Sequence, residues 1–161
     1  MKLLLLFLTT VCIAGTGVTQ PNSLSTKNKA IVERAFEIVG NGDFDRMHEV
    51  IAPNYVRHCQ ATPDIKVRSL EDFKAFIRAD RAVIPDQKFE LKHLVAEDNY
   101  VAFYATYTGT QTGQMGPFPP SNKRVVLDFA GVHRLEDGKI VETWITWDNV
   151  AFLTQLGHLK M

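Results

Sequence analysis

Hydrophobic positions along the chain change period once, and that change divides it into two halves. Ile31, Val32, Ala35, Phe36 and Val39 recur at helical spacing, which predicts a first helix with one apolar face. Ser25 or Thr26 is placed to cap its start, and Gly40 and Gly42 to end it. A second, short helix is expected after Asp43, with Phe44, Met47, Val50 and Ile51 on one side and Pro53 closing it. Tyr55 to His58 reads as extended. A third helix starts at Ser69, with Asp72 at capping-box spacing, and carries Leu70, Phe73, Phe76, Ile77 and Ala79. Ile84-Pro85-Asp86 breaks it.

From Lys88 onward the alternation has period two. Phe89, Leu91, His93 and Val95 begin a strand, and Tyr100 to Gln111 forms another after the turn Asp98-Asn99. Arg124 to Leu135 and Lys139 to Trp147 are two more, joined by Glu136-Asp137-Gly138-Lys139, a hairpin signal. Gly113 to Pro120 is a Gly/Pro loop, placed to cover a pocket mouth or a dimer seam. Asn149 to Gly157 predicts a final helical turn or two. Helices first and antiparallel strands second imply an α+β domain with the helices on one face of the sheet. Apolar residues fill both alternating sets of the strands. A curved antiparallel sheet closed by the N-terminal helices, leaving a cone-shaped pocket, satisfies that pattern. Which face of each strand looks inward is left open.

The first residues obey different rules. Lys2 precedes the apolar run Leu3 to Leu8, and small residues Ala14 to Gly17 come after it. This is the pattern of a secretory signal peptide over 1–19, so the protein is expected to be secreted or periplasmic. Residues 20–27 read as a short tether and 28–161 as the folded domain. Removal of the signal leaves Cys59 as the only cysteine, so no internal disulfide is expected. The 18 basic and 18 acidic residues balance, which gives no sign of nucleic-acid binding. No membrane association is expected once the signal is removed. His48, His93 and His158 are scattered, and their spacing predicts no metal site.

Three stretches resemble the SnoaL-like polyketide cyclases, of the nuclear-transport-factor-2-like and ketosteroid-isomerase-like fold. They are Thr108-Gly109-Thr110-Gln111-Thr112-Gly113 with Gly116 and Pro119-Pro120, then Arg134 to Ile140 around Asp137-Gly138, then Glu142-x-Trp144-x-x-x-Asp148 with Gln155-Leu156-Gly157. The resemblance runs from Asn28 to Gly157. It implies a cofactor-free polyketide- or ester-cyclase-type protein, an aldol-type cyclase or an isomerase, acting on a small apolar carbonyl compound. It also implies an aspartate near the end of the last strand as general acid/base, a position that Asp148 matches, and a polar cavity residue to which His58 corresponds. The fold often pairs through its sheet, so a homodimer is a further implication.

An aldol closure needs a base beside a carbonyl and a donor for the developing oxyanion. Asp148 lies between Trp144, Trp147 and the apolar Val150 to Phe152, where burial would raise its pKa; it is equally placed to cap the last helix. His58 is a candidate donor or simply a loop-edge histidine. Regular pairing of Leu135 with Ile140 sets His133 opposite Glu142 and puts Phe129, Trp144 and Asp148 on one face. Along that ladder His133 falls roughly 20 Å from Asp148, and His133 with Glu142 is either a rim ion pair or part of a site. Trp144, Tyr104, Phe129, His133, Glu142 and Phe118 are the expected substrate-binding residues, with Tyr104 or Tyr107 supplying a hydroxyl. Cys59 is expected to be a buried, inert thiol. Export also suits a binding protein of the same fold without chemistry, since it removes the protein from cytosolic synthases.

Overall fold

The computed structural model describes residues 23–160. The expected signal segment, 1–19, lies outside the described residues. Residues 23–27, expected within the tether, already belong to the first helix α1, Ser23–Asn41, so Ser25 and Thr26 lie inside it and do not cap it. Val32, Ala35 and Ile38 form its buried stripe. Gly42 ends it at φ 69°, with Asp43 N–H bonded to the Ile38 carbonyl and Gly42 N–H to the Val39 carbonyl. That closing pair needs a left-handed residue, which glycine adopts without a Cβ penalty.

The expected second helix is one 3-10 turn, Met47–Glu49. Val50 and Ile51 run instead into β1, Ile51–Cys59, which contains Pro53. Proline is tolerated there because β1 is an edge strand, where a missing N–H breaks no central ladder. Helix α2, Leu70–Val83, starts as expected: the Ser69 hydroxyl accepts from Asp72 N–H at 3.0 Å, and the Asp72 carboxylate accepts from Arg68 N–H.

The strands β2 (Lys88–Glu97), β3 (Tyr100–Thr110), β4 (Arg124–Glu136) and β5 (Lys139–Trp147) come next, and α3 (Asn149–Leu156) ends the chain of elements. The sheet is curved and unclosed, in the order β1-β5-β4-β3-β2. It is mixed and not purely antiparallel, because β1 joins β5 in parallel. The β4–β5 turn carries positive φ at Asp137 (48°) and Gly138 (74°), which suits the right-handed twist of a two-residue hairpin.

One irregularity in β5 decides which of its side chains face the helices. Leu135 pairs with Ile140 as expected, but Arg134 pairs with Glu142, so Val141 is an extra residue in β5. Ile140 and Val141 are both buried, which strict alternation forbids. Beyond the bulge every β5 partner is displaced by one, and His133 faces Thr143, Gly131 faces Ile145, and Phe129 faces Trp147.

The core lies between the helices and the inner sheet face. Val101, Phe103, Ala105 and Tyr107 of β3 and Val125, Leu127 and Phe129 of β4 are all buried at every second position. A Cβ on Gly131 would sit 2.6 Å from the Phe103 ring and 2.5 Å from the Trp144 carbonyl oxygen, so glycine alone leaves room for Phe103 to lie across β4. Phe103 then packs edge-on against Phe36 of α1 and against Phe129. Among the described residues no helix is long and apolar enough to cross a membrane.

Candidate functional site

The helices do not fill the hollow of the sheet. A cavity of about 780 Å³ remains, within the range of small-molecule sites. Phe103, Tyr107, Leu127 and Phe129 form its floor, Thr143, Ile145 and Trp147 one side, and Phe36 and Val39 of α1 its roof. The 113–120 loop contributes Met115 and Phe118, as one of its two expected placements required. Gln111, fully buried, holds that loop: its amide donates to the Gly113 and Pro119 carbonyls, and its oxygen meets His158 Nε2 at 2.6 Å. Phe118 stacks on the His158 ring.

Few polar groups reach the lining, and burial changes their chemistry. Asp80 comes after Phe73, Phe76 and Ile77 at i+7, i+4 and i+3, so α2 carries a carboxylate on its apolar stripe. Asp80 as a residue is partly exposed, but its carboxyl is crowded by protein on the cavity wall. Loss of water pushes it up to about 6 from its ordinary 3.8, outweighing the Tyr107 hydrogen bond and the charges of Arg81 and Arg57, which act the other way. The Tyr107 hydroxyl donates to Asp80 Oδ2 across a long 3.4 Å, and burial followed by the Asp80 charge raises the phenol. Burial also pushes Tyr55 up to about 12.

His133 lies on the inner face, 9% exposed, with its ring stacked on Phe103 at 4.7 Å. Its Nδ1 shares a 2.8 Å hydrogen bond with the Thr143 hydroxyl. Burial lowers its pKa to about 3, so the imidazole is neutral at any physiological pH. Arg57, 7% exposed, lines the same cavity from β1. Its guanidinium lies 4.5 Å from the Phe76 ring centroid and 5.7 Å from that of Trp147.

Of the residues expected at the site, Phe129, His133 and Phe118 line the cavity. Most of the others lie elsewhere. Asp148, expected as a buried base, is exposed and caps α3, its Oδ1 accepting from Ala151 N–H at 2.9 Å. His58 is on the outer face, where Nε2 meets Glu142 Oε1 at 2.8 Å and the ring stacks on Trp144. Trp144 and Tyr104 are 39% and 42% exposed there. Glu142 pairs with His58 and with Arg134 Nε, not with His133. The Val141 bulge explains most of this: a shift of one residue moves a strand's side chains to the opposite face. It turns Thr143, Ile145 and Trp147 inward, and leaves Glu142 and Trp144 outside. On β1 the same parity puts Tyr55 and Arg57 inside and His58 outside.

Of the two tyrosines expected as alternative hydroxyl donors, Tyr107 lines the cavity and Tyr104 does not. Asp80, Arg57 and Tyr55 were not among the expected site residues. A signal for Asp80 was present, since a carboxylate seven residues after Phe73 continues a stripe of apolar positions. Arg57 had no such signal without knowing which face of β1 is inward. Cys59, expected to be buried, is instead partly exposed, because it lies at the end of the edge strand β1, and it forms no disulfide among the described residues.

The same fold occurs in known proteins. The model of the SnoaL-like polyketide cyclase family matches residues 29–156. Among solved structures, IdmH of Streptomyces antibioticus, a proposed polyketide cyclase, is 27% identical, with 81% of this chain and 98% of that one covered and a TM-score of 0.72. AclR of Streptomyces galilaeus, a proposed hydroxylase, is 26% identical over 85% of this chain and 89% of its own, with a TM-score of 0.73. A SnoaL-like protein from Jannaschia sp. CCS1, at 22% identity, shares the fold with a TM-score of 0.78 over 88% of this chain and 99% of its own. No curated protein matches the chain.

Proposed function

This chain belongs to the SnoaL-like polyketide cyclase family, and from that premise we propose that its cavity takes up a small apolar carbonyl compound and moves a proton on it by acid–base chemistry alone. Asp80 is the base. The observation that carries this is a carboxyl set among Phe73, Phe76 and Tyr107 and held at about 6, close to where a base is both ionised and strong enough at neutral pH. Asp80 removes the proton next to the carbonyl, and the C–H electrons move into the enolate. The enolate carbon then attacks a second carbonyl carbon of the same molecule, a C–C bond forms, and the new alkoxide takes the proton back from Asp80. Once Asp80 holds the substrate proton, the Tyr107 hydroxyl turns its hydrogen from Asp80 to the developing oxyanion. His133 stays neutral and fixes the polar end of the cavity with Thr143.

Exchange of the α-protons of β-tetralone in heavy water tests the proton transfer without knowledge of the natural substrate. The full chain is expected to accelerate exchange saturably. Asp80→Asn should reduce it by roughly 100-fold or more, while leaving binding of the neutral fluorophore N-phenylnaphthylamine unchanged. Equal exchange by the variant removes Asp80 from the chemistry. The signal-peptide pattern over 1–19 favours a second reading, an exported carrier with the same pocket. Saturable fluorophore binding with no exchange in the unaltered protein would decide for the carrier.

A further inference from the structure

Arg57 is a buried residue with no carboxylate in contact, although Asp80 on the same cavity wall stands near enough to feel its charge. Arg57 faces Thr143 across the β1–β5 pairing, on the inward set with Tyr55, so its side chain has no route to the solvent outside the sheet. No carboxylate oxygen lies within 4.0 Å of its nitrogens among the described residues. Among the described residues its one side-chain hydrogen bond is a long 3.4 Å contact from Nη1 to the Thr62 hydroxyl. Five donors in a rigid fork are therefore left with one weak neutral acceptor. The other groups near the cavity are committed elsewhere. Asp80 accepts from Tyr107, Arg81 donates to the Val39 and Gly40 carbonyls, and His133 is uncharged. Phe76 and Trp147 flank the cation, which supplies π contact but no acceptor.

A buried cation is costly unless something pairs with it. The remaining direction for the fork is the cavity that Arg57 lines. We propose that Arg57 anchors a carboxylate carried by the ligand, so that the cavity selects apolar molecules bearing one anionic group, with the ring or chain lying over Phe129 and Phe103. The planar fork matches two carboxylate oxygens at once, which a neutral ketone cannot offer. This rests on the cavity being a ligand site, as proposed above, and adds the charge of what enters it.

The test uses two ligands of the same shape, naphthoate and acetylnaphthalene, in which a carboxylate oxygen is replaced by a methyl group. Each displaces N-phenylnaphthylamine from the full chain, followed by fluorescence. The unaltered protein should prefer naphthoate by about tenfold or more, the scale of one hydrogen bond to a charged group. Arg57→Met should abolish the preference while the neutral fluorophore still binds, and Arg57→Lys should retain part of it. Equal affinities in the unaltered protein overturn the proposal, as does a preference that survives in Arg57→Met or is undiminished in Arg57→Lys. Failure of the fluorophore to bind the unaltered protein instead strikes the cavity reading itself. If Arg57→Met does not fold, the unaltered protein and Arg57→Lys still decide.

Discussion

The two sides of the sheet meet the same kinds of side chain, from the strands outside and from the strands and α2 inside, and treat them in opposite ways. Outside, Glu142 meets His58 and Arg134, and these hydrogen bonds hold its carboxyl below its usual range. Asp128 accepts from Thr106 and Tyr104 and is lowered for the same reason. Inside, Asp80 is raised to about 6 although Tyr107 and two arginines oppose the shift. Partners decide the charge where water is present, and the loss of water decides it where the sheet curves away from solvent. The outer face is thus a set of satisfied, screened pairs, and the inner face a few polar groups whose protonation is poised by their surroundings.

The contrast can be broken by substitution, and the inner face should respond most. Phe129 contacts Phe36, Phe89 and Phe103 and is 8% exposed, so Phe129→Ala should cost about 3–5 kcal/mol in urea unfolding. The next effects are on pH dependence, and they have opposite signs. His133 falls from 6.5 to about 3 on folding, so its stability contribution is complete above pH 6.5 and is lost as pH falls below it. The slope approaches about 1.4 kcal/mol per pH unit, and His133→Gln should flatten it. Asp80 rises from 3.8 to about 6, so the native state holds its proton longer than the unfolded chain and stability declines as pH rises through that window. Asp80→Asn should remove that decline and leave the protein more stable at pH 7 than the unaltered chain. Unfolding measured across pH 4 to 7 checks both. On the outside, Asp148→Ala should cost about 1 kcal/mol through the lost cap and leave β-tetralone exchange intact. Glu142→Gln should change stability by about 0–1 kcal/mol. Loss of exchange in Asp148→Ala would return that residue to the chemistry and dissolve the contrast.

The order of elements was legible because period and turn chemistry are local. The strands after Lys88, the Ser69 cap and the Asp137-Gly138 turn are all set by neighbours in sequence. The short helix before Pro53 shrank to one 3-10 turn because pairing with β5 claimed the Val50 carbonyl and Ile51. The site was less legible, for a different reason. Facing is set by register, register is set across strands, and an extra residue such as Val141 is invisible where apolar residues fill both alternating sets. His133, Phe129 and Phe118 reached the cavity because β4 and the 113–120 loop lie outside that irregularity. Asp148, Trp144 and Glu142, all beyond the bulge, did not. Tyr104 needed only the parity of β3, which Val101, Phe103, Ala105 and Tyr107 fix once the inner face is known.

Val141 also bears on how such a protein can change. With that residue removed, Ile140 and Glu142 become neighbours, and Leu135, Arg134 and His133 keep Ile140, Glu142 and Thr143 as partners, so β5 would alternate regularly around the same interior. Loss of the codon therefore spares the wall of the hollow. A strand that instead absorbed Val141 into regular pairing would offer the hollow Glu142, Trp144 and Thr146 in place of Thr143, Ile145 and Trp147. The interior is written in where the surplus residue is stored as much as in which side chains the strand contains.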